Sequence, residues 1–356
     1  MSVFLAELDI LRASFLKKTL YLKEVRSVFL SRADRLLAFF VLAVIINFFL
    51  SLMIPIWMLA VGPILFGAPH LFAGVRYIPK ILAKNRSSKE LRPLAFWIVG
   101  VLFVTTCLHV FQDQLNMPIP HPLHAADDWE WMTVVLTFFT FTWFLKLGPG
   151  HLRNLLVLAP LAFLSWKYPL WTAGFFLIGH NFVAFIYWIR SAKIHREKRT
   201  AMLAFVIFSL LTAIIFLGCA DDLIRLPFPM PFLGISLEPI SLGQLVLPGS
   251  QNYVLLDRAV SVFAFGQAMH YFVWLKAIPE QVISQEVPLS FRRSAEELKN
   301  DLGKTLAKVA VVLSCSFILA MAFYKLELIR NLYLSGATVH GYLEFAGLTF
   351  LFKKKA

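Results

Sequence analysis

The run AVSVFAFGQAMHYFVWLK, residues 259–276, contains no acid and no proline, and its one lysine stands at its end. It is too long for a strand, and apart from Ser261, Gln267 and His270 it lacks the polar face of a soluble helix, so it reads as a membrane-crossing helix. Similar apolar runs near 37–53, 55–78, 93–111, 131–146, 152–165, 169–189, 201–219, 305–324 and 331–351 predict an all-α, polytopic bundle of about ten transmembrane helices. The whole chain agrees. It is 59% hydrophobic and 15% charged, with 35 Phe and a mean hydropathy of +0.71, which a soluble domain would have to hide.

Charge placement sets the expected orientation. Basic residues gather in 76–92 (Arg76, Lys80, Lys84, Arg86, Lys89, Arg92), in 190–199 and in 276–308, whereas 112–130 holds Asp113, Asp127, Asp128 and Glu130 without a cation. The 220–257 connection has Asp221, Asp222, Glu238 and Asp257 and several prolines. Basic connections inside and acidic ones outside put both termini in the cytoplasm of a bacterial inner membrane. The net charge of +13 is thus a topology signal and not a nucleic-acid surface, and the expected partners are membrane lipids and a lipophilic small molecule. Residues 1–35, with Arg12, Lys17, Lys18, Lys23, Arg26, Arg32 and Arg35, lack the apolar core of a cleavable signal and read as a cytoplasmic or interfacial amphipathic segment. The transmembrane domain is expected over 36–352, a basic cytoplasmic tail over 353–356, and a short surface helix around Ser294–Gly303. Cys107, Cys219 and Cys315 are scattered and read as packing residues, and Trp129, Trp131, Trp166, Trp171 and Trp188 as an aromatic belt.

Against this apolar background one pattern recurs: His70-Leu-Phe, His180-Asn-Phe and His270-Tyr-Phe. Arg76, Ile78 and Pro79 stand at the same offsets from His70 as Lys276, Ile278 and Pro279 do from His270. An imidazole in hydrocarbon must be hydrogen-bonded, paired or metal-bound, which makes these residues functional candidates. With His340 they fall on helices expected to run in one direction, roughly 9 to 20 Å from the following basic residue at 1.5 Å per residue. Glu344 lies one turn beyond His340 on the same face. His109, His121, His124, His151 and His195 fall near connections and read as solvated.

Imidazoles with a carboxylate suit non-haem iron, and axial histidines suit haem. His70, His180, His270 and His340 are therefore the candidate metal ligands, Glu344 the candidate catalytic acid–base, and Asn181 and Gln267 candidates for orienting the rings of the cofactor site. Three uses are open to such a cluster: a metal or haem site, a proton path in a proton-coupled transporter, or structural hydrogen bonding in a membrane scaffold. No Walker loop, Gly-x-Ser-x-Gly elbow or His-Glu-x-x-His motif is present.

The segment Gly67-Ala68-Pro69-His70, together with histidines on several other apolar helices, resembles the Brp/Blh family of membrane β-carotene dioxygenases. The resemblance implies a helical bundle that holds iron through histidines, His70 among them, and cleaves a carotenoid to retinal.

Overall fold

The computed structural model describes residues 2–83, 167–224, 243, 246–247, 249–282, 290–323, 340, 341, 344 and 347. All regular structure among them is helical: α1 (Ser2–Thr19), α2 (Lys23–Leu30), α3 (Arg32–Met53), α4 (Pro55–Gly62), a π-helical turn (Pro63–Gly67), α5 (Ala68–Ala83), α6 (Pro169–Ser191), α7 (His195–Phe216), a 3-10 turn (Asp221–Leu223), α8 (Tyr253–Phe272), a second π-helical turn (Val273–Ala277), α9 (Ile278–Val282), α10 (Phe291–Leu302) and α11 (Lys304–Phe323). The runs expected at 93–111, 131–146 and 152–165 lie outside the described residues, as do His109, His121, His124, His151 and Cys107. His340, Gly341, Glu344 and Gly347 of the last run are helical.

Local chemistry sets the helix ends. Ser31 Oγ accepts the Asp34 amide at 3.4 Å to start α3, Asn252 Oδ1 accepts the Leu255 amide at 3.2 Å to start α8, and Ser290 Oγ accepts the Arg293 amide at 3.3 Å to start α10. Helix α7 stops at Gly218, whose φ of +82° is the left-handed conformation that suits glycine. The Gly218 amide there bonds the Ile215 carbonyl and the Cys219 amide the Ile214 carbonyl, the paired bonds of a Schellman turn.

Helix α3 buries Ala33, Leu36, Phe40, Val44 and Ser51 at helical spacing, and its other face exposes Val41, Leu42, Ile45, Ile46, Phe49 and Met53. Helix α7 behaves alike, burying Ala201, Ala204 and Phe208 while exposing Met202, Leu203, Val206 and Leu210. A helix apolar on both faces is suited to hydrocarbon surroundings. Both α3 and α7 are long and apolar enough to cross a membrane. The pair Pro55–Gly62 and Leu65–Leu82, bent by 54°, passes the same test as one broken span.

Helix α8 is the hub, packing on α3, α4, α6 and α7. Its residues 259 to 267 are all buried. Phe185, Phe208 and Phe265 stack in the adjoining core, with ring centroids 4.6 and 5.5 Å apart. Trp188, expected in an aromatic belt, is fully buried against Phe40, Phe185 and Phe272, whereas Trp171 is exposed. Cys219 and Cys315 are exposed, contrary to a packing role. The short surface helix expected around Ser294–Gly303 is α10, which receives Asp9 of α1 at the Phe291 amide.

The basic residues are drawn into specific pairs. Arg35, 1% exposed, donates from Nε to Glu280 Oε2 at 3.0 Å and from its guanidinium to the Phe29 carbonyl. Arg32 meets Glu197 at 3.4 Å, and Arg76 and Lys80 both meet Asp301. These contacts tie α3 to α7 and α9, and α5 to α10.

Candidate metal centre

Two interrupted helices carry the first and third histidines. Pro63 and Pro69 lack amide hydrogens and crowd the preceding turn, conditions under which a helix widens or kinks; here the chain passes through the π turn Pro63–Gly67 three residues before His70. The other π turn, Val273–Ala277, starts three residues after His270. An extra residue in a turn rotates the succeeding stretch of helix by roughly 100°, and such bulges recur at functional sites.

The result is convergence. His70, His270 and His340 are 2%, 1% and 4% exposed, and one nitrogen of each lies within 4.8 Å of those of the other two. Ring centroids are 5.2 Å apart for His70–His270, 4.8 Å for His70–His340 and 5.8 Å for His270–His340. His180 is half-buried, its ring 4.8 Å from that of His270. The basic residues that mark the depths of His70 and His270 are themselves paired within the protein, Arg76 with Asp301 and Lys276 with Glu280 at 2.5 Å, and so do not mark the ends of those helices.

Glu344 is fully buried, with Oε1 2.7 Å from His340 Nε2 and 3.4 Å from His270 Nε2. Neither approach has hydrogen-bond geometry: both nitrogens of His270, both of His340 and both oxygens of Glu344 lack a hydrogen-bond partner. Six buried polar atoms in one place would be costly if nothing else met them. His70 differs. Its Nδ1 lies 2.5 Å from the Gly67 carbonyl, so Nδ1 carries the hydrogen and the lone pair is on Nε2. The carbonyl that orients it belongs to the π turn.

These donors fit a metal ion. Nitrogens that share one ion at bonds of about 2.1 Å would lie about 3–4 Å apart, so three within 4.8 Å of one another would close on it by side-chain rotation inward. A divalent cation would also offset a buried carboxylate whose partners are imidazoles. His70, His270 and His340 are thus the residues that would hold it, with Glu344 and His180 alongside.

The supporting residues include some that sequence reasoning passed over. Tyr187 donates to the Glu344 carbonyl at 3.0 Å, and Gly347 leaves room for that phenol. Gly74 faces the His340 ring so closely that a Cβ would overlap it. Trp274 packs 5.6 Å from His340, and Tyr271 4.8 Å from His70, centroid to centroid. Tyr187 and Trp274 follow His180 and His270 by seven and four residues, a same-face spacing that marks them. Of the two amides singled out, Gln267 donates to the Tyr271 hydroxyl at 2.9 Å and so touches the ring that packs on His70. Asn181 instead donates to the Leu177 carbonyl at 3.2 Å and packs on Gly266, where a Cβ would lie 2.9 Å from its nitrogen. That is a helix-packing position. His195, at the start of α7, is exposed.

Comparison with protein-family models, with curated proteins and with solved structures finds no match to this chain.

Proposed function

We propose that this chain is a membrane-embedded, histidine-ligated metal-dependent oxidoreductase acting on a lipophilic substrate, in a bundle of about ten spans with both termini in the cytoplasm of a bacterial inner membrane. The observation that carries the proposal is the buried convergence of three imidazoles with a carboxylate, the polar atoms of His270, His340 and Glu344 being left without hydrogen-bond partners. Non-haem iron is the proposed metal, because mixed imidazole and carboxylate ligation leaves positions open for dioxygen or substrate. When bound, the metal supplies a Lewis acid that polarises dioxygen or a substrate oxygen. His70 is oriented by the Gly67 carbonyl, Tyr187 fixes the backbone at Glu344, and the surrounding apolar helices exclude water. Glu344 either completes the ligand set or holds and moves a proton. The likeness of Gly67-Ala68-Pro69-His70 to the membrane carotenoid dioxygenases makes a carotenoid one candidate substrate.

A proton-coupled transporter is the competing reading, favoured by the broken pair bent by 54° beside His70. The resemblance between the His70 and His270 segments does not extend to their local structure, however. The π turn precedes one histidine and comes after the other, and Arg76 pairs with a distant residue while Lys276 pairs within its own turn. That asymmetry speaks against a duplicated carrier half.

Elemental analysis and an optical spectrum of the purified protein test the proposal. Stoichiometric iron without a haem band is the expected result. A haem spectrum would replace the cofactor, and protein that stays metal-free after exposure to ferrous iron would overturn the metal-centre reading.

A further inference from the structure

Next to the histidines, on the other side of Tyr271, a groove of about 600 Å³ runs between α3, α4 and α8. That volume is in the range of small-molecule sites. Its wall is apolar and aromatic, with Trp57, Phe66 and Tyr271 prominent, and it is broken by two amides, Asn47 and Gln267. The Asn47 amide nitrogen already donates to the Ala43 carbonyl at 2.8 Å, and that of Gln267 to the Tyr271 hydroxyl at 2.9 Å. Both amides still offer an acceptor oxygen, and Gln267 keeps a second N–H, while the Asn47 nitrogen also lies 3.8 Å from Met269 Sδ. A ligand matched to this lining is a hydrocarbon chain ending in a hydroxyl, which both donates and accepts.

The groove is continuous with the apolar outer surface. Leu50 and Phe66 line it and remain 36% and 46% exposed, and their chain neighbours Phe49 and Leu65 are 49% and 47% exposed. A ligand dissolved in the bilayer would therefore enter without crossing water. At the inner end Tyr271 is the partition: its ring packs 6.0 Å from Phe66 on the groove side and 4.8 Å from His70 on the other.

We infer that this groove binds one long-chain alcohol taken from the bilayer, its hydroxyl donating to Asn47 or Gln267 and its chain lying against Tyr271 beside the histidines. The inference rests on the metal-centre reading for what happens at that end, while the binding itself depends only on the groove. It makes Gln267 a residue that reads the ligand's hydroxyl, and Tyr271 the contact through which an occupied groove meets the site.

Photo-crosslinking of the full-length protein in lipid nanodiscs tests this, with diazirine-bearing probes of three kinds: a straight-chain alcohol, an isoprenoid alcohol and an alkane matched in length. At least one alcohol should label peptides containing Trp57, Phe66 or Tyr271 in preference to the alkane, and whichever labels better identifies the chain type. Ala268→Phe, which fills the groove, should reduce labelling by about tenfold or more without changing metal content. Ala43→Phe, from the opposite wall, gives the same reading if the first variant fails to fold. Gln267→Leu should reduce the preference of alcohol over alkane. Labelling confined to other helices, equal labelling by alkane and alcohols in the unmodified protein, or undiminished labelling of both filled variants would overturn the inference. Protein that labels in the groove yet holds no metal would overturn the metal-centre reading and leave this one standing.

Discussion

His340 Nε2 and Glu344 Oε1 lie 2.7 Å apart, one helical turn from each other, without the geometry of a hydrogen bond. Both are buried, and His270 Nε2 approaches the same oxygen at 3.4 Å. Imidazoles that only locked helices together would donate to this carboxylate. Lone pairs gathered around a common space are what a ligand set requires.

Glu344→Gln separates the two roles open to this carboxylate. If Glu344 is a ligand, the variant should lose metal. If it only moves protons, metal should stay while turnover falls by about 10²–10⁴-fold, the usual contribution of a positioned acid or base. Metal analysis alongside single-turnover rates distinguishes them, and an unchanged metal content with unchanged turnover would remove Glu344 from the site.

Single alanine variants of His70, His270 and His340 should each lower metal occupancy, whereas His180→Ala should have the smaller effect, because His180 is half-buried and is not among the three whose nitrogens cluster within 4.8 Å. Occupancy unchanged from the unmodified protein in the His70, His270 and His340 variants would contradict a shared centre, and an equal loss in His180→Ala would make His180 a further ligand. Titration with ferrous iron, followed by elemental analysis after desalting, gives the comparison.

Much of the fold and site is legible in the sequence, and the parts that are not share a physical cause. The His-x-Phe pattern and the 3.6-residue period locate His70, His180, His270 and Glu344 on helices and mark the histidines as costly in hydrocarbon. What periodicity cannot carry is tertiary compensation. Arg35 looks like one more cation of a surface segment, yet it is buried because Glu280, 245 residues away, meets it. Trp188 looks like a belt residue, yet the Phe40, Phe185 and Phe272 rings enclose it. The π turns do carry a local signal, a proline two residues beyond each, Pro69 and Pro279, but a proline marks only that the helix is disturbed and not that it widens. Gly74 carries no signal in sequence at all, because its role is the absence of a side chain where His340 needs space.

That space makes Gly74→Ala a sensitive probe. A Cβ there would overlap the His340 ring, whereas a Cβ on Gly62 would meet Tyr271 at 3.4 Å, an ordinary contact. Gly74→Ala should displace the ring, lower metal occupancy and cost about 1–3 kcal/mol, as overpacking generally does. Gly62→Ala should leave metal content unchanged. Loss of metal in both variants, or in neither, would mean that crowding at His340 is not what matters.

Arg35 tests the buried pairing. Arg35→Met leaves Glu280 with Lys276 as its remaining partner, so the cost should fall below the roughly 3–5 kcal/mol of a buried pair broken outright. Arg35→Met combined with Glu280→Met should recover much of that loss, since paired replacement by apolar groups is often neutral. Lys276, which loses its own partner in the double variant, is 34% exposed and sits 4.2 Å over the Phe39 ring, so its stranding is the smaller effect. Denaturant unfolding of the two variants in one detergent gives the comparison; a double variant no better than the single one would refute the pairing as the source of the cost.

The pair Asp221–Arg258 predicts an acid-sensitive connection after α7. Arg258 Nε donates to Asp221 Oδ1 at 2.8 Å, and its terminal nitrogen meets Oδ2; this hydrogen bonding holds the Asp221 carboxyl below the usual carboxylate range. A carboxyl whose pKa is lower folded than unfolded contributes stability above its unfolded value of about 3.9, and that contribution disappears as pH falls through the folded value. Unfolding temperature should therefore be insensitive to this pair from neutral pH down to about 4 and decline below it. Asp221→Asn should shift the neutral-pH value slightly downward and flatten the acid decline. The effect is small because the two side chains are 35% and 23% exposed, and molar salt should diminish it. The Gly218 turn provides a cross-check: a Cβ there would collide with the Arg258 guanidinium and strain a φ of +82°, so Gly218→Ala should reproduce the Asp221→Asn pH profile at a lower overall stability. An unaltered acid decline in both variants would show that the guanidinium does not hold the carboxylate in the folded protein.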